Sequence, residues 1–451
     1  MLGMSEEQIL LLVIKYLKEQ KNNEFQHIIQ ELQPYDIATL YIDLPNKHKH
    51  KFLTYLSKIQ IAWLIQELEK EDQIQILHRL GVQKSSQVMD LMENDDLADL
   101  LEGLSLDKRD EFLTLMEQEE SQTVQNLMRY SPETAGGIMT NRYVWIRNYF
   151  TVREAVDKLK SFAEIAENFY YLYVLDEGKS LVGVVSYRDL LLADVEAKIE
   201  NIMYKRVISV PVNLDQEQVA RIIERYDFIA VPVVDENNKL VGIVTVDDII
   251  DVVIQEANED IEKFSASGKD IDFNTSTWTA SMRRLPWLIL LLLIGIVSGS
   301  IISHFEGTLQ KVVSLAFFMP MIAGMTGNTG TQSLAVVVRG LAGNDIDRWA
   351  VWQLIMRELG VGVIIGLVCG TVIALLAYVW QANYTLGLVV GSSLFITLII
   401  GTLAGTIIPL VLYRIKVDPA VASGPLITTL NDIFSLTVYF SLANLFISRL
   451  M

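Results

Sequence analysis

Cysteine is almost absent from this chain: Cys369 is the only one among 451 residues. A single thiol excludes an internal disulfide and a cysteine-based metal site. Histidine is nearly as scarce, and His27, His48, His50, His78 and His304 are scattered along the sequence. No His-rich metal motif, phosphate-binding Gly-rich loop or Ser/His/Asp constellation appears, so the chain does not read as an enzyme. Positive charge is also in short supply, with 37 Lys and Arg against 55 Asp and Glu and a net charge of −18. Without a basic patch interleaved with aromatics, nucleic acid is not an expected partner. The first eight residues carry two acidic and no basic side chains, which does not match the start of a signal peptide.

The acid excess is unevenly shared. Residues 283–451 hold nine Lys/Arg and six Asp/Glu, a balance of +3, which leaves 28 against 49, or −21, for residues 1–282. A charge of that size repels itself and concentrates cations around it.

What the N-terminal part lacks, the C-terminal part has: long apolar runs. Residues 286–303, 312–338, 359–380 and 385–413 contain no Asp, Glu, Lys or Arg, and residues 419–448 contain only Asp432. Each run is close to or above the ~20 apolar residues that cross a ~30 Å hydrocarbon core, so five membrane spans are expected. Arg283, Arg284, Arg339, Arg348, Arg357, Arg414 and Lys416 fall on one side of that topology, and Lys311 and Arg449 on the other. The positive side faces the cytoplasm, which places residues 1–282 in the cytoplasm and the C-terminus outside the cell membrane. A carboxylate at membrane depth is costly and marks a functional site by default, so Asp432 is the leading candidate for a cation pathway. The plainer alternative is a neutral Asp bonded to a neighbouring helix. On a helix Pro425, Thr428, Thr429, Asp432 and Ser435 share one stripe. Asn328, Thr331 and Gln332 form a second, where Gly324, Gly327 and Gly330 allow close helix approach.

Residues 5–130 read as helix throughout, with apolar positions recurring at three and four. A unit returns at Asp36-Ile37-Ala38-Thr39-Leu40 with Leu44, at Ala62-Trp63-Leu64 with Leu68, and at Asp96-Leu97-Ala98-Asp99-Leu100 with Leu104. Its recurrence suggests stacked helix pairs in a small solenoid. From about Gly137 the pattern changes to Val/Ile/Tyr-rich runs alternating with short helices. Met139, Thr151 and Ala155 then correspond to Met203, Asp215 and Val219 at an offset of 64. Leu181-Val182-Gly183-Val184-Val185-Ser186 corresponds to Leu240-Val241-Gly242-Ile243-Val244-Thr245, and Asp189 to Asp248, at an offset of 59. Two βαββα units of ~60 residues, each too small for a generous core, are expected to pack as one domain. From Asp248 to Lys263 an acidic helix follows, with Asp248, Asp251, Gln255 and Glu259 on one face and Glu256, Asp260 and Glu262 widening the charge. Like charges at these spacings weaken a lone helix, and a hard divalent cation bound by their oxygens would reverse that.

The repeat resembles a tandem pair of CBS domains. In such pairs the junction [ST]-x-x-D offers a hydroxyl and a carboxylate to an adenine nucleotide such as ATP. The matching residues are Ser186-Tyr187-Arg188-Asp189 and Thr245-Val246-Asp247-Asp248, with Arg188 as a phosphate donor and Tyr171 or Phe228 as a stacking ring. The alternative is that Asp189 and Asp248 cap the helices that follow.

The whole chain resembles the MgtE family of magnesium channels or transporters. Pro320-Met321-Ile322-Ala323-Gly324-Met325-Thr326-Gly327-Asn328-Thr329-Gly330-Thr331-Gln332 is similar to the family's second-span signature. Asp418-Pro419-Ala420, Ser423-Gly424-Pro425 and Thr428-Thr429-Leu430-Asn431-Asp432 are similar to its fifth. The resemblance implies a superhelical all-α domain at residues 1–136, CBS units at 137–200 and 201–254, a connecting helix and linker at 248–282, and a five-span helical membrane domain at 283–451. It implies a homodimer in the lipid bilayer whose pore, on the two-fold axis, holds hydrated Mg²⁺ at Asp432, with Asn328 and Thr428 beside it. It further implies closure by cytosolic Mg²⁺ at Asp95, Asp99, Gly137, Asp215, Glu217, Asp227, Asp248, Asp251, Glu256, Glu259 and Asp260. A glutamate in the first domain belongs to this set, and Glu67 is one of several candidates. Transport of Co²⁺ or Mn²⁺, or a non-conducting membrane-anchored sensor, are the competing functions.

Overall fold

The fold is taken from a computed structural model, which describes residues 5–162, 168–267, 271, 275–343 and 347–450. The chain divides into two compact units, Met1–Ile254 and Gln255–Met451.

Among the described residues, the first unit opens with ten short helices. Helices α1 to α10 span Glu6–Glu19, Asn22–Ile29, Pro34–Asp43, Asn46–Tyr55, Lys58–Gln66, Lys70–Leu80, Val82–Met89, Asn94–Glu102, Leu106–Leu115 and Gln118–Leu127. Polar side chains set several starts: Ser5 accepts from the Gln8 amide and Ser57 from the Gln60 amide, each in a capping box. Packing runs α1 on α3, α3 on α5, α5 on α7 and α7 on α9, while α6 meets α8 and α8 meets α10. That alternation is the stacked-pair solenoid the recurring Ala-x-Leu unit implied. Ala38, Leu40, Ala62, Leu64, Ala98 and Leu100, its repeated positions, are all buried.

Two three-stranded sheets follow. The first is built from β1 (Tyr143–Arg147), α11 (Val152–Phe162), β2 (Asn168–Leu175), β3 (Leu181–Ser186) and α12 (Tyr187–Leu192). After α13 (Ile199–Ile202), the second repeats it with β4 (Val210–Pro211), α14 (Gln216–Tyr226), β5 (Ala230–Val234), β6 (Leu240–Thr245) and α15 (Val246–Ser265). In each, the first pair is parallel and the second antiparallel, with Tyr171 opposite Ser186 and Ala230 opposite Thr245. The halves are crossed: Thr140, ahead of the first sheet, pairs with Ile243 of the second, and Tyr204, ahead of the second, pairs with Val184 of the first. Met203 covers Gly183 and Met139 covers Gly242, each sulfur 2.6 Å from where a Cβ would stand. The repeated Met and Gly thus meet each other across the pair. One apolar core then runs from the solenoid into the second repeat, joining Leu97 and Val124 to Val219, Val231 and Val244.

The second unit holds the end of α15, then α16 (Thr277–His304), α17 (Glu306–Lys311), α18 (Leu315–Gly343), α19 (Arg348–Gln381) and α20 (Tyr384–Arg414). A 3₁₀ turn (Pro419–Val421), α21 (Gly424–Leu445) and α22 (Ile447–Leu450) complete it. Among the described residues four helices, α16, α19, α20 and α21, are long and apolar enough to cross a membrane. The fifth expected span is the 29-residue α18. Its length suffices, but the Thr, Asn, Gln and Gly residues of 324–332 leave it outside the strongly apolar set. The run 419–448 is not one helix: Asp418 caps a short turn and Gly424 starts α21 with Pro425 in its first turn, where a missing N–H costs nothing. Helix α20 is central, packing against α18, α19 and α21. Small residues permit this: a Cβ on Gly405 would collide with the Gly330 carbonyl, and one on Gly370 would lie 2.8 Å from the Gly391 carbonyl.

Candidate cation pathway and control sites

Helix α18 turns one face into the protein and leaves the other open. Ile322, Thr326, Thr329, Ser333 and Leu334 are buried, whereas Gly324, Asn328 and Gln332 are exposed. Gly327 and Gly330 do sit against α21, as the spacing implied, but a Cβ on Gly324 would meet nothing within 4 Å. Thr331 lies between the two faces, its hydroxyl oxygen 3.4 Å from that of Thr428 on α21. Both threonines donate to carbonyls one turn back, at Gly327 and Gly424, which leaves their oxygens able to accept.

Asp432 is half-buried, one turn beyond Thr428 on α21. Among the described residues its carboxylate has no ion-pair or hydrogen-bond partner. Ser435 departs from the expected stripe: it is fully buried and its hydroxyl donates to the Asp432 carbonyl at 3.1 Å. The adjacent Asn431, which the sequence did not single out, is also fully buried and donates from Nδ2 to the Thr326 carbonyl at 3.3 Å. It locks α21 against α18 beside the acid.

In the first unit, carboxylates from the solenoid and from the first turn of α15 face each other. Gln66 donates to Asp96 at 2.7 Å, and burial, then Asp99 and Asp251, push the Asp96 carboxyl above the usual range. Burial likewise raises Glu93, with Asp96 and Asp247 adding to it. Asp248 accepts from Thr245, yet loss of hydration, helped by Asp247 and Asp96, lifts it to about 7. Glu67 is raised by burial and by Asp96 and Asp251, which puts it in the same field. Asp96 and Glu93 were not among the expected ligands; Asp96 stood in the quoted helical unit, and only its burial reveals it.

The other expected residues divide. Asp215 caps α14 through the Glu217 amide at 3.0 Å, and Thr134, in the turn that includes Gly137, bridges to it. Asp227 lies at the far end of that helix, about 18 Å along its axis. Glu256, Glu259 and Asp260 occupy the later turns of α15, where Lys263 bonds Glu259 at 2.7 Å. Among the described residues no three His, Cys, Asp or Glu gather tightly enough to hold a metal ion. The acids of the first unit form a negative field, not a finished coordination shell.

At the first CBS junction Ser186 donates to Asp189 at 2.6 Å and accepts from its amide at 3.1 Å, so both residues are helix caps here. Tyr171 stands opposite Ser186, and Arg188 is exposed beside them. Phe228 lies in the second repeat, stacked on Tyr226 at 5.4 Å.

Comparison with known proteins decides the family. A chain named magnesium transporter MgtE from Bacillus subtilis is 56% identical over 99% of this chain and 99% of its own length. The chain belongs to the MgtE family. The family's transmembrane model, described as a divalent cation transporter, matches residues 319–442, and its intracellular N domain matches residues 13–133. CBS domains match residues 135–196 and 199–255. The MgtE protein of Enterococcus faecalis is 43% identical over 98% of both chains. The cytosolic domain of the Mg²⁺ channel MgtE, solved in complex with ATP, is 36% identical and covers 54% of this chain and 99% of its own, with a TM-score of 0.52.

Proposed function

We propose that this MgtE chain carries Mg²⁺ across the cell membrane, through a pathway at Asp432, Thr428 and Asn328. The observation that carries this reading is a half-buried carboxylate without a counter-charge among the described residues, on a helix otherwise free of charge. Full-length likeness to proteins named magnesium transporters supplies the ion. Mg²⁺ sheds water reluctantly, so few protein ligands are needed, and threonine and asparagine oxygens suit its hydration shell. The exposed polar stripe of α18 supports a homodimer in which two such faces enclose the pathway, with five spans per protomer. The placement of basic residues supports a cytoplasmic N-terminus and an extracytoplasmic C-terminus.

Regulation follows from the acid field. With Asp96, Asp99, Asp248 and Asp251 repelling one another, cytosolic Mg²⁺ favours a compact arrangement and closes the pathway, and its loss opens it. A swing from mostly closed to mostly open needs about 5 kcal/mol of differential binding, within reach of several weak sites. ATP at Tyr171, Ser186, Arg188, Asp189 and Phe228 is supported by the ATP complex of the related cytosolic domain.

Mg²⁺ influx into proteoliposomes tests the reading. The parent chain conducts, Asp432→Ala does not while assembling normally, and Mg²⁺ on the N-terminal side reduces flux. Undiminished flux in Asp432→Ala removes that residue from the pathway, and preference for Co²⁺ or Mn²⁺ in competition changes the ion.

A further inference from the structure

Glu358 was hidden at the start of an apolar run, and the structure gives it a place. It is 5% exposed, one residue ahead of the uncharged stretch of α19. Helix α19 has 34 residues, about 51 Å at 1.5 Å each, against a ~30 Å core. The excess length lets its charged first turns extend beyond the core, with Glu358 directly ahead of the uncharged stretch. Ser333 of α18, itself 3% exposed, donates to Glu358 Oε2 at 2.9 Å. The other oxygen accepts from Arg357 Nη2 at 2.9 Å and Nε at 3.2 Å, and that guanidinium is more than half exposed. A buried acid is thus tied to a neighbouring helix on one side and to a surface cation on the other, which is how a carboxylate is tolerated there.

An apolar cluster also joins these helices. Val337 and Leu341 of α18 share a cluster with Leu354 and Ile355 of α19 and Leu410 of α20. Such contacts are less directional than a hydrogen bond, so the Ser333–Glu358 bond adds an orientational constraint that they lack. Ser333 is five residues beyond Asn328, about 140° around the helix. Gripping Ser333 from behind turns Asn328 outward. On the same inward face, Asn431 grips the Thr326 carbonyl from α21.

We propose that Glu358 is a positioning residue: its carboxylate, anchored by Arg357, holds Ser333 and sets the rotation of α18 that presents Asn328. This rests on the transport reading above, in which Asn328 borders the pathway. The readout is labelling of Asn328→Cys, in a Cys369→Ala background, by a membrane-impermeant thiol reagent in the full-length protein. Ser333→Ala and Glu358→Leu each change the labelling rate and lower Mg²⁺ flux roughly tenfold, the scale of one hydrogen bond to a charged group. Combining them does no further harm. Glu358→Gln, whose carbonyl still accepts from Ser333, retains most of both. Unchanged labelling in Ser333→Ala, which removes one oxygen and folds if any variant does, overturns the role, as do additive losses in the pair. Absent parental flux with labelling that still responds overturns the transport reading alone.

Discussion

Lys263 Nζ lies 2.6 Å from Asp418 Oδ2, so the last turn of α15 and the entrance to α21 share one ammonium. The other Asp418 oxygen accepts from the Ala420 amide at 2.8 Å and caps the turn leading into the helix that bears Asp432. Loss of hydration opposes the Lys263 charge, but its bonds to Asp418 and Glu259 hold its pKa above the usual lysine value. Asp260 is pushed up by burial and by Asp418. Lys263→Met would leave Glu259, Asp260 and Asp418 facing one another. The pair is partly exposed, so the loss without divalent ions is at most about 1 kcal/mol. Millimolar Mg²⁺ should then raise the variant's melting temperature more than the parent's; an equal response would show that the ammonium and the divalent ion do not compete for these acids.

Two glycines of the membrane helices make a matched comparison. Gly405→Ala drives a methyl into the Gly330 carbonyl, while a Cβ at Gly299 meets nothing within 4 Å. Overpacking at Gly405 should cost about 1–3 kcal/mol, and Gly299→Ala should be neutral or slightly favourable for helix formation. Thermal unfolding in detergent distinguishes them, and equal melting temperatures would contradict the α18–α20 contact.

The acid field makes stability depend on pH. Asp248 sits at about 7 when folded, against roughly 4 for an exposed Asp. Between those values the folded state holds a proton that the unfolded state releases, so stability falls as pH rises through that window. In chelator, the melting temperature of the full chain should drop between about pH 4 and about pH 7 and level off above that. Asp248→Asn should flatten that slope, and a slope of the opposite sign would refute the assignment.

Nucleotide binding and helix capping separate by residue. Asp189→Ala removes both a proposed nucleotide contact and the cap shared with Ser186, so it should weaken ATP binding and lower stability by about 1 kcal/mol. Arg188→Ala touches only the exposed guanidinium and should weaken ATP binding with no change in melting temperature. Calorimetric titration with ATP, beside a melting curve, checks both.

Much of the architecture was legible because it is written in periods. Three- and four-residue spacing disclosed the solenoid, and the repeat linking Gly183 to Gly242 disclosed two copies of one sheet. Contacts between distant segments were not legible. Glu358 looked like the flank of a span until Ser333, 25 residues earlier, was found beside it. Ser435 shared a stripe with Asp432 on paper, yet packing turned it inward. The break at residues 419–424 depends on Asp418 choosing a local amide, a competition that hydropathy does not register.

The crossed bridges of the CBS pair also constrain how the chain is made. Thr140 must wait for Ile243, about 100 residues later, before its backbone is paired. At roughly 5–20 residues per second on the ribosome, that edge stays open for about 5 to 20 seconds. During that interval the Thr140 backbone lacks its native partner, so slower synthesis of residues 141–243 lengthens the time in which it can bond elsewhere.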